Sequence, residues 1–463
     1  MKWNEIKTVY FLGIGGIGMS NLAKYFQQHG VRVYGYDKTS SPLTVALEQQ
    51  GMQIHYEDRP DLIPEHLDLV VYTPAVPKEL KEYQHFLTHP SLLHKRSEVL
   101  GWITAQHKNI AVAGTHGKTT TSALLSHLLV DAGKPVTAFL GGICVNYDTN
   151  YLNTGQEWMV EEADEYDRSF LQLKPSMAII GSLDADHLDI YGSRQEMVDA
   201  YLKFAEQIPS GGTLLMSDTI SWEDFDHFSQ KLTGLEVIQF GMGAKDVRGS
   251  IQFIKDGWVH FEYISKKYHI KDLSLRLPGA HNVRNALAAI YVALQVGVEE
   301  SQIRKALVHF RGIQRRFQWK LDTPSKVLID DYAHHPEELR SAITACREVY
   351  PDRKITGIFQ PHLYSRTRDF LVGFAKSLEL LDQVILVEIY PAREEPIPGI
   401  TSQTLFDQIQ MEHKWICTKS TLLGLLAKMS LEVVMTLGAG DLDLMIDSII
   451  DCMLDADDSK AEM

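Results

Sequence analysis

The stretch Ile110-Ala-Val-Ala-Gly-Thr-His-Gly-Lys-Thr-Thr-Thr121 decides how this chain is read. Ile110 to Ala113 is a short apolar run, the mark of a buried strand, and it breaks at Gly114. Thr115, His116, Gly117, Lys118, Thr119 and Thr120 follow. A helical pattern then carries Ala123, Leu124, Leu125, Leu128 and Leu129 and ends at Gly133. Strand, glycine turn and helix with Lys-Thr at its start form a phosphate-binding arrangement: backbone N–H groups close on phosphate oxygens, and the helix N-terminus adds partial positive charge. In such a loop Lys118 reaches the terminal phosphates and the Thr119 hydroxyl holds Mg²⁺. The spacing is a shorter variant, because the position five before Gly117 is Val112 rather than glycine. An ordinary glycine-rich turn has the same outline, but here strand and helix both stand where the motif needs them.

Working outward, 463 residues of which 44% are hydrophobic and 23% charged suit a globular chain of about three domains. A formal net charge of −15 argues against non-specific nucleic-acid binding while leaving anionic small substrates open. Cys144, Cys346, Cys417 and Cys452 show no metal or redox spacing, which points to a reducing, cytoplasmic setting. The apolar start, Tyr10 to Met19, is too rich in glycine for a signal peptide, and no segment reaches the ~20 apolar residues that span a bilayer. No membrane and no nucleic acid are therefore expected as partners.

Residues 1–106 read as a first domain. Val9 to Leu12 is a strand, Gly13-Ile-Gly15-Gly16-Ile-Gly18 a turn, Met19 to His29 a helix, and Val31 to Tyr36 a second strand ending at Asp37. Taken alone this is the dinucleotide fingerprint, with Asp37 on a ribose and NAD as ligand. The same geometry holds the pyrophosphate of any nucleotide diphosphate, so a nucleotide-sugar is an equal candidate. His94-Lys95-Arg96 reads as a solvated basic cluster, with contact to a phosphate as the alternative.

Residues 107–313 read as a second domain of alternating strands and helices. Trp158 to Glu162 is a strand ending in acids, and five of the seven residues from Glu161 to Asp167 are acidic. Such a run repels itself unless cations are near. Glu162, at the strand end, is the natural Mg²⁺ ligand beside Thr119. His187, after the strand Met177 to Gly181, is flanked by acids and has a metal or a structural role open to it. Asn282 stands before an alanine-rich helix expected over Val283 to Gln295, either as an N-cap or with its amide offered to a base. Arg315-Arg316 closes the domain, as a phosphate clamp or a solvated pair.

Residues 314–463 read as a third domain. Four strands, Val327 to Ile329, Ile355 to Phe359, Val384 to Val387 and Val433 to Leu437, end in polar or glycine turns that carry Asp331, His334, His362, Arg366 and Gly438. This is an open, mostly parallel sheet with its site at the carboxyl ends. The tail from Asp451 is acidic and expected to fray.

In order along the chain, Gly114-Thr-His-Gly-Lys-Thr-Thr120, Glu162-Ala-Asp-Glu165, Asp186-His187, Gly279-Ala-His-Asn282, Arg315-Arg-Phe317 and Asp331-Tyr-Ala-His334 resemble the Mur ligases, from Val9 to about Asp443. The resemblance implies an α/β fold of three domains: a Rossmann-like N-terminal domain, a P-loop central ATPase and a Rossmann-like C-terminal domain. It implies an ATP-dependent, Mg²⁺-requiring amide ligase of peptidoglycan precursor synthesis. Gly13-Ile-Gly-Gly-Ile-Gly-Met19, Gln360-Pro-His362 with Arg366-Thr-Arg368, and Glu388 to Gly399 resemble the branch whose substrates are UDP-N-acetylmuramate and L-alanine.

On that resemblance Gly13, Gly15, Gly16, Gly18 and Asp37 bind the UDP-sugar. Gly114, Thr115, His116, Gly117, Lys118, Thr119 and Thr120 bind ATP, with Asn282 on the adenine, Arg316 on a phosphate and Asp331 in the ribose or phosphate region. Thr119, Glu162 and His187 hold metal. Lys118, His362 and Arg366 are catalytic, with Arg366 on the alanine carboxylate and His362 or His334 as the base. Leu363 stands where family members carry a basic residue. The lysine that later-acting ligases carbamoylate, about fourteen residues past the metal histidine, is replaced by Tyr201, and the nearby Lys203 reads as a surface residue. The rival readings are a muropeptide-recycling ligase that adds a tripeptide and an NAD-dependent oxidoreductase.

Overall fold

The structure, a computed structural model, describes residues 5–90, 92–184, 188–392 and 394–461. The chain divides into two compact units. One comprises Met1–Ser250, Tyr263–Lys271 and Arg284–Phe310, the other Ile251–Glu262, Asp272–Val283 and Arg311–Met463.

The first unit opens with a five-stranded sheet: β1 (Thr8–Leu12), β2 (Arg32–Tyr36), β3 (Gln53–His55), β4 (Leu69–Tyr72) and β5 (Leu93–Lys95), in the order β3-β2-β1-β4-β5 and parallel throughout. All five residues of β1 are buried, as a parallel strand covered on both faces requires. Val9 and Phe11 pack in one cluster with Met19, Leu22 and Phe26 of the helix Ile17–Gln28, while Tyr10 and Leu12 pack in another with Tyr36 and Phe86. The strand order reverses beside β1, which puts the Gly13–Gly18 turn at a topological switch point, where ligands of such sheets bind.

The next sheet has ten strands: β6 (Lys108–Ala113), β7 (Val136–Cys144), β8 (Thr149–Asn153), β9 (Trp158–Glu162), β10 (Met177–Ile180), β11 (Thr213–Ser217), β12 (Glu236–Gly241), β13 (Val247–Lys255), β14 (Trp258–Ser265) and β15 (His269–Leu275). Their order is β15-β14-β13-β12-β11-β10-β6-β9-β7-β8. β6 lies between β10 and β9, parallel to both, so its carboxyl end is central. The helix Lys118–Asp131 behind it is buried along nearly its whole length, which is why its sequence is leucine-rich without a polar stripe. Lys24, on the helix after the first glycine turn, is buried and donates to Asn150 Oδ1 at 2.8 Å and Thr149 Oγ1 at 3.1 Å. That bond ties the five-stranded sheet to β8 within one unit.

The second unit holds a six-stranded sheet: β16 (Gln318–Asp322), β17 (Val327–Asp331), β18 (Ile355–Phe359), β19 (Gln383–Leu386), β20 (Lys414–Ile416) and β21 (Val433–Leu437), in the order β16-β17-β21-β18-β19-β20. All pairings are parallel except β16 with β17. The four expected strands are its centre; the two edge strands were not expected. Two further expectations are corrected. The helix after Gly279 begins at Ala280, not Val283, because Gly279 makes the turn at φ +97° and frees the next residue to be helical. The acidic tail is not frayed from Asp451: the helix Ile446–Ala461 carries it on to Ala461, with Ile446, Ile449 and Met453 buried in the core.

Candidate active site

In the first unit the phosphate loop is built on two glycines in the left-handed region, Gly114 at φ +128° and Gly117 at φ +80°. Gly117 caps the helix Lys118–Asp131, whose first turn carries no capping side chain, so its N–H groups are left for a ligand. The loop is braced from β10: the Ser182 hydroxyl accepts from His116 N at 2.9 Å and lies 2.8 Å from Thr115 Oγ1, and Gly181 N donates to Ala113 O at 3.0 Å. His116 Nε2 stands 3.8 Å from Asp184 Oδ2, and Thr120 is buried in the helix's first turn.

Each acid from Glu161 to Asp167 has its own partner. Glu161 is fully buried and accepts from Asn109 Nδ2 at 3.1 Å; burial pushes its carboxyl well up, so it is a core acid and not a ligand. Glu162 accepts from Thr119 Oγ1 and Ser122 Oγ, each at 3.1 Å, and from Gly141 N at 2.6 Å. Burial still raises its carboxyl, although those bonds and the charge of Lys118 oppose the rise. Asp164 pairs with Arg96 at 3.2 Å and Asp167 with Lys95 at 2.8 Å. Glu165 takes Lys118 Nζ on both oxygens at 2.8 Å. Burial works against the Lys118 charge, but the carboxylates of Glu165, Asp164 and Glu162 outweigh it and leave its amine raised. Lys95 and Arg96 are thus no solvated cluster. The partners lie some 40 to 70 residues from the acids, beyond any local pattern.

The glycine turn of the first sheet is equally specific. Gly13 has φ +80°, and its N–H donates to Tyr36 O at 2.8 Å. Gly16 caps the following helix without a side-chain bond. Asp37 reaches back: its Oδ2 accepts from Gly15 N at 2.7 Å, so this carboxylate holds the loop shut. A Cβ on Gly18 would lie 2.9 Å from Arg96 Nη1, which places a guanidinium against the turn.

In the second unit the site residues gather at the carboxyl ends of β17, β18 and β21. Asp331 is buried and accepts from Phe317 N at 2.7 Å and Ala333 N at 2.8 Å. Burial pushes its carboxyl up to about 6, against the pull of Arg316 and those two bonds. Glu338 gathers the cations: it accepts from His334 N at 3.0 Å, lies 3.3 Å from His334 Nδ1 and 4.0 Å from Arg316 Nη1. Burial lowers His334, favouring neutral imidazole, and Nδ1 lies 2.9 Å from Tyr332 O. With Nδ1–H donating there, Nε2 keeps its lone pair. The His362 ring is 6.1 Å from that of His334 and stacks on Tyr390 at 5.8 Å. Leu363 sits at φ +69° and is pinned by its N–H to Tyr390 O at 3.0 Å, just before the short helix that presents Arg366. A branched residue held there is local strain at a site. Arg366 makes no ion pair among the described residues. Arg315 is no clamp: its guanidinium donates to Gly438 O at 2.7 Å and Gly440 O at 3.0 Å and faces Asp330 and Asp443, a structural brace.

Asp331 gives a pH prediction. From its ordinary value of 3.8 to about 6, the folded protein holds a proton that the unfolded chain has lost. Its contribution is therefore full below pH 3.8 and is lost as pH rises through about 6. We expect the stability difference between wild type and Asp331→Asn to shift against wild type by up to about 3 kcal/mol across that window. Urea melts of both proteins at the two ends of the window measure it, and a pH-independent difference would contradict it.

Models of known families cover the chain in three segments: the Mur ligase family catalytic domain matches residues 8–108, the Mur ligase middle domain 112–293, and the Mur ligase glutamate ligase domain 315–440. The UDP-N-acetylmuramate–L-alanine ligase of Flavobacterium psychrophilum is 45% identical over 457 residues, 97% of this chain and 98% of that protein. The chain belongs to the Mur ligase family. The corresponding ligase of Phocaeicola vulgatus is 44% identical over 96% of this chain and 97% of its own. Among solved Mur ligases, the UDP-N-acetylmuramate–alanine ligase of Thermotoga maritima superposes with a TM-score of 0.81 at 28% identity, covering 96% of this chain and 98% of that one. The murein peptide ligase of Psychrobacter arcticus, at 22% identity and a TM-score of 0.69 over 97% of this chain and 98% of that one, shares the fold.

Against the Mur ligase motifs three placements stand out. Asn282 is buried, and its amide donates to Pro278 O at 2.6 Å. It lies in the first turn of its helix and does not cap it. Asn285, three residues on, lies against the phosphate loop: a Cβ on Gly117 would meet its Oδ1 at 2.8 Å. The i, i+3 spacing of the two asparagines on one helix was the signal for it. His187 lies outside the described residues. Tyr201 is fully buried and Lys203 exposed, as a surface residue should be.

Proposed function

We propose that this chain joins L-alanine to the lactoyl carboxylate of UDP-N-acetylmuramate, driven by ATP, in the cytoplasmic assembly of peptidoglycan precursors. One observation carries this: identity of 44–45% along essentially the whole chain to ligases of that name. The phosphate loop supports it, with Lys118 and Thr119 each set against a carboxylate. The four cysteines are free thiols, which suits a reducing compartment, and among the described residues no helix is long and apolar enough to cross a membrane. An NAD-dependent oxidoreductase leaves the phosphate loop without a use.

A carboxylate resists attack by an amine because its leaving group is oxide. Transfer of the γ-phosphoryl group forms an O–P bond to the lactoyl carboxylate and breaks the bond to ADP. Lys118 and Arg316 are suited to the charge on that group. The alanine amine, having lost its proton, then forms the C–N bond as phosphate leaves. His362 and His334 are the candidate bases; burial favours the neutral, proton-accepting form of His334. Arg366 is left to hold the alanine carboxylate. Gly13, Gly15, Gly16 and Gly18 cradle the UDP diphosphate, with Asp37 keeping the turn closed.

Thr119 and Glu162 fit a magnesium ion. Their oxygens are hard donors 3.1 Å apart, and the Glu162 carboxylate is raised by burial that a cation would relieve. No group of three or more His, Cys, Asp or Glu side chains among the described residues is arranged to hold a metal. That suits Mg²⁺, which takes one or two protein ligands and completes its shell with phosphate oxygens and water. Bound there, it would neutralise charge on the transferring phosphoryl group. A Cβ on Gly141 would clash with Glu162 Oε2. Gly141→Ala should therefore push the carboxylate off Thr119 with little loss of fold. We expect turnover to fall about tenfold or more and the Mg²⁺ requirement to rise. An unchanged magnesium titration would remove Glu162 from the metal site.

The proposal is tested by phosphate release from ATP with UDP-N-acetylmuramate and, in turn, L-alanine, D-glutamate and an L-Ala-led tripeptide. Release with alanine is expected. Release with the tripeptide alone would transfer the assignment to the recycling ligase.

A further inference from the structure

The Lys118 ammonium has three protons to donate, and all three are matched: Gly114 O lies at 2.6 Å and the two Glu165 oxygens at 2.8 Å. A phosphate oxygen can reach this amine only by taking the place of one of them. The Gly114 carbonyl belongs to the loop itself and cannot leave. Glu165 is the exchangeable partner. Its carboxylate brackets the amine with two anionic oxygens, much as a terminal phosphate would. Its backbone is fixed, because its carbonyl accepts from Tyr191 Oη at 2.6 Å and Arg168 N at 3.0 Å, and Asp167 and Arg168 follow in left-handed conformations at φ +52° and +55°. Any exchange is thus a movement of the side chain alone. Glu165 is 2% exposed, and Asp164 and Asp167 on either side are held separately by Arg96 and Lys95.

We propose that Glu165 is a stand-in for nucleotide phosphate: it holds the Lys118 ammonium while the loop is empty and is displaced from it when the terminal phosphates arrive. The inference rests on the reading of this loop as the ATP site. It makes Glu165 a positioning residue that acts through Lys118. It also fixes a thermodynamic sign. Removing the Glu165 charge weakens the empty protein, in which the pair exists, and spares the nucleotide-bound form, in which it does not. Nucleotide binding therefore tightens when the charge is lost. A carboxylate that merely cements the fold is present in both forms, and its loss lowers both alike.

The test is calorimetric binding of a non-hydrolysable ATP analogue with Mg²⁺ to full-length wild type and Glu165→Gln, with thermal melts of each protein empty and loaded. We expect the variant to bind at least about fivefold more tightly, the coupling typical of two states a ligand discriminates. Its melting temperature should fall in the empty form and be nearly retained in the loaded form. Equal or weaker binding, with both melts lowered alike, overturns the proposal. Glu165→Asp, one methylene short of the amine, is the second variant should the first not fold, and it should tighten binding in the same direction. No analogue binding by wild type, or full binding by Lys118→Ala, would instead overturn the nucleotide reading and this inference with it.

Discussion

Lys118→Ala is expected to abolish ATP-dependent phosphate release, by a factor on the order of 10³, while UDP-N-acetylmuramate binding changes little. The amine sits at the first residue of the helix behind β6, bonded to the loop carbonyl and to Glu165. On the proposed reading its loss removes a fixed positive charge where charge develops during phosphoryl transfer and leaves the sequence of the first glycine turn unaltered. The same change should also cost stability, about 3–5 kcal/mol, because the buried Glu165 carboxylate loses its ammonium. The two effects separate in the double variant Lys118→Met with Glu165→Gln, which should regain stability and stay inactive. Steady-state phosphate release, urea melts and UDP-sugar calorimetry read all three quantities. Loss of sugar binding in a folded Lys118→Ala protein would show that the division of substrates between the two loops is wrong.

Gly114→Ala is expected to be nearly as severe, for a different reason. At φ +128° an L-residue is strained wherever there is room, and here there is none. The new Cβ would stand 2.9 Å from both Gly181 N and Ser182 N, main-chain atoms at the end of β10 that cannot swing aside. The loop would have to leave β10, taking the Lys118–Gly114 bond and the Ser182 brace with it. We expect about 2–3 kcal/mol of destabilisation and at least about 100-fold lower turnover. Gly117→Ala should be milder at φ +80°, since its Cβ would meet the Asn285 amide, a side chain able to rotate. Equal effects at the two glycines would contradict the distinction between backbone and side-chain obstruction.

These expectations rest on features that differ in how far the sequence displays them. The strand, turn and helix around Gly114 to Lys118 are contiguous, so apolar run, glycine and leucine pattern were enough to read them. The same holds for the Gly13 turn and the central strands of the third sheet. Contacts made at a distance were not legible. Nothing near Glu165 announces Lys118, and nothing near Asp164 announces Arg96; the parallel sheets bring their carboxyl ends together only once the chain is folded. The bond that Asp37 makes was hidden for the same reason. Its spacing from the glycine turn is that of a ribose ligand, but its carboxylate is taken by Gly15 N–H. The edge strands β16 and β20 are half-exposed, without the buried apolar run that marks a central parallel strand. Arg315 and Arg316, adjacent and chemically alike, part company in the folded chain: Arg315, at φ +59°, donates to Gly438 and Gly440, while Arg316 faces Glu338.

The central claim, that ATP activates the lactoyl carboxylate for attack by alanine, is tested most directly by following an oxygen. UDP-N-acetylmuramate labelled with ¹⁸O in its carboxylate is incubated with the protein, ATP, Mg²⁺ and L-alanine, and the phosphate and the nucleotide product are weighed by mass spectrometry. The account predicts one carboxylate oxygen in the released phosphate and a product heavier than the labelled sugar nucleotide by one alanine less one ¹⁸O-labelled water. Unlabelled phosphate, or a product that forms only when a tripeptide replaces alanine, would contradict it.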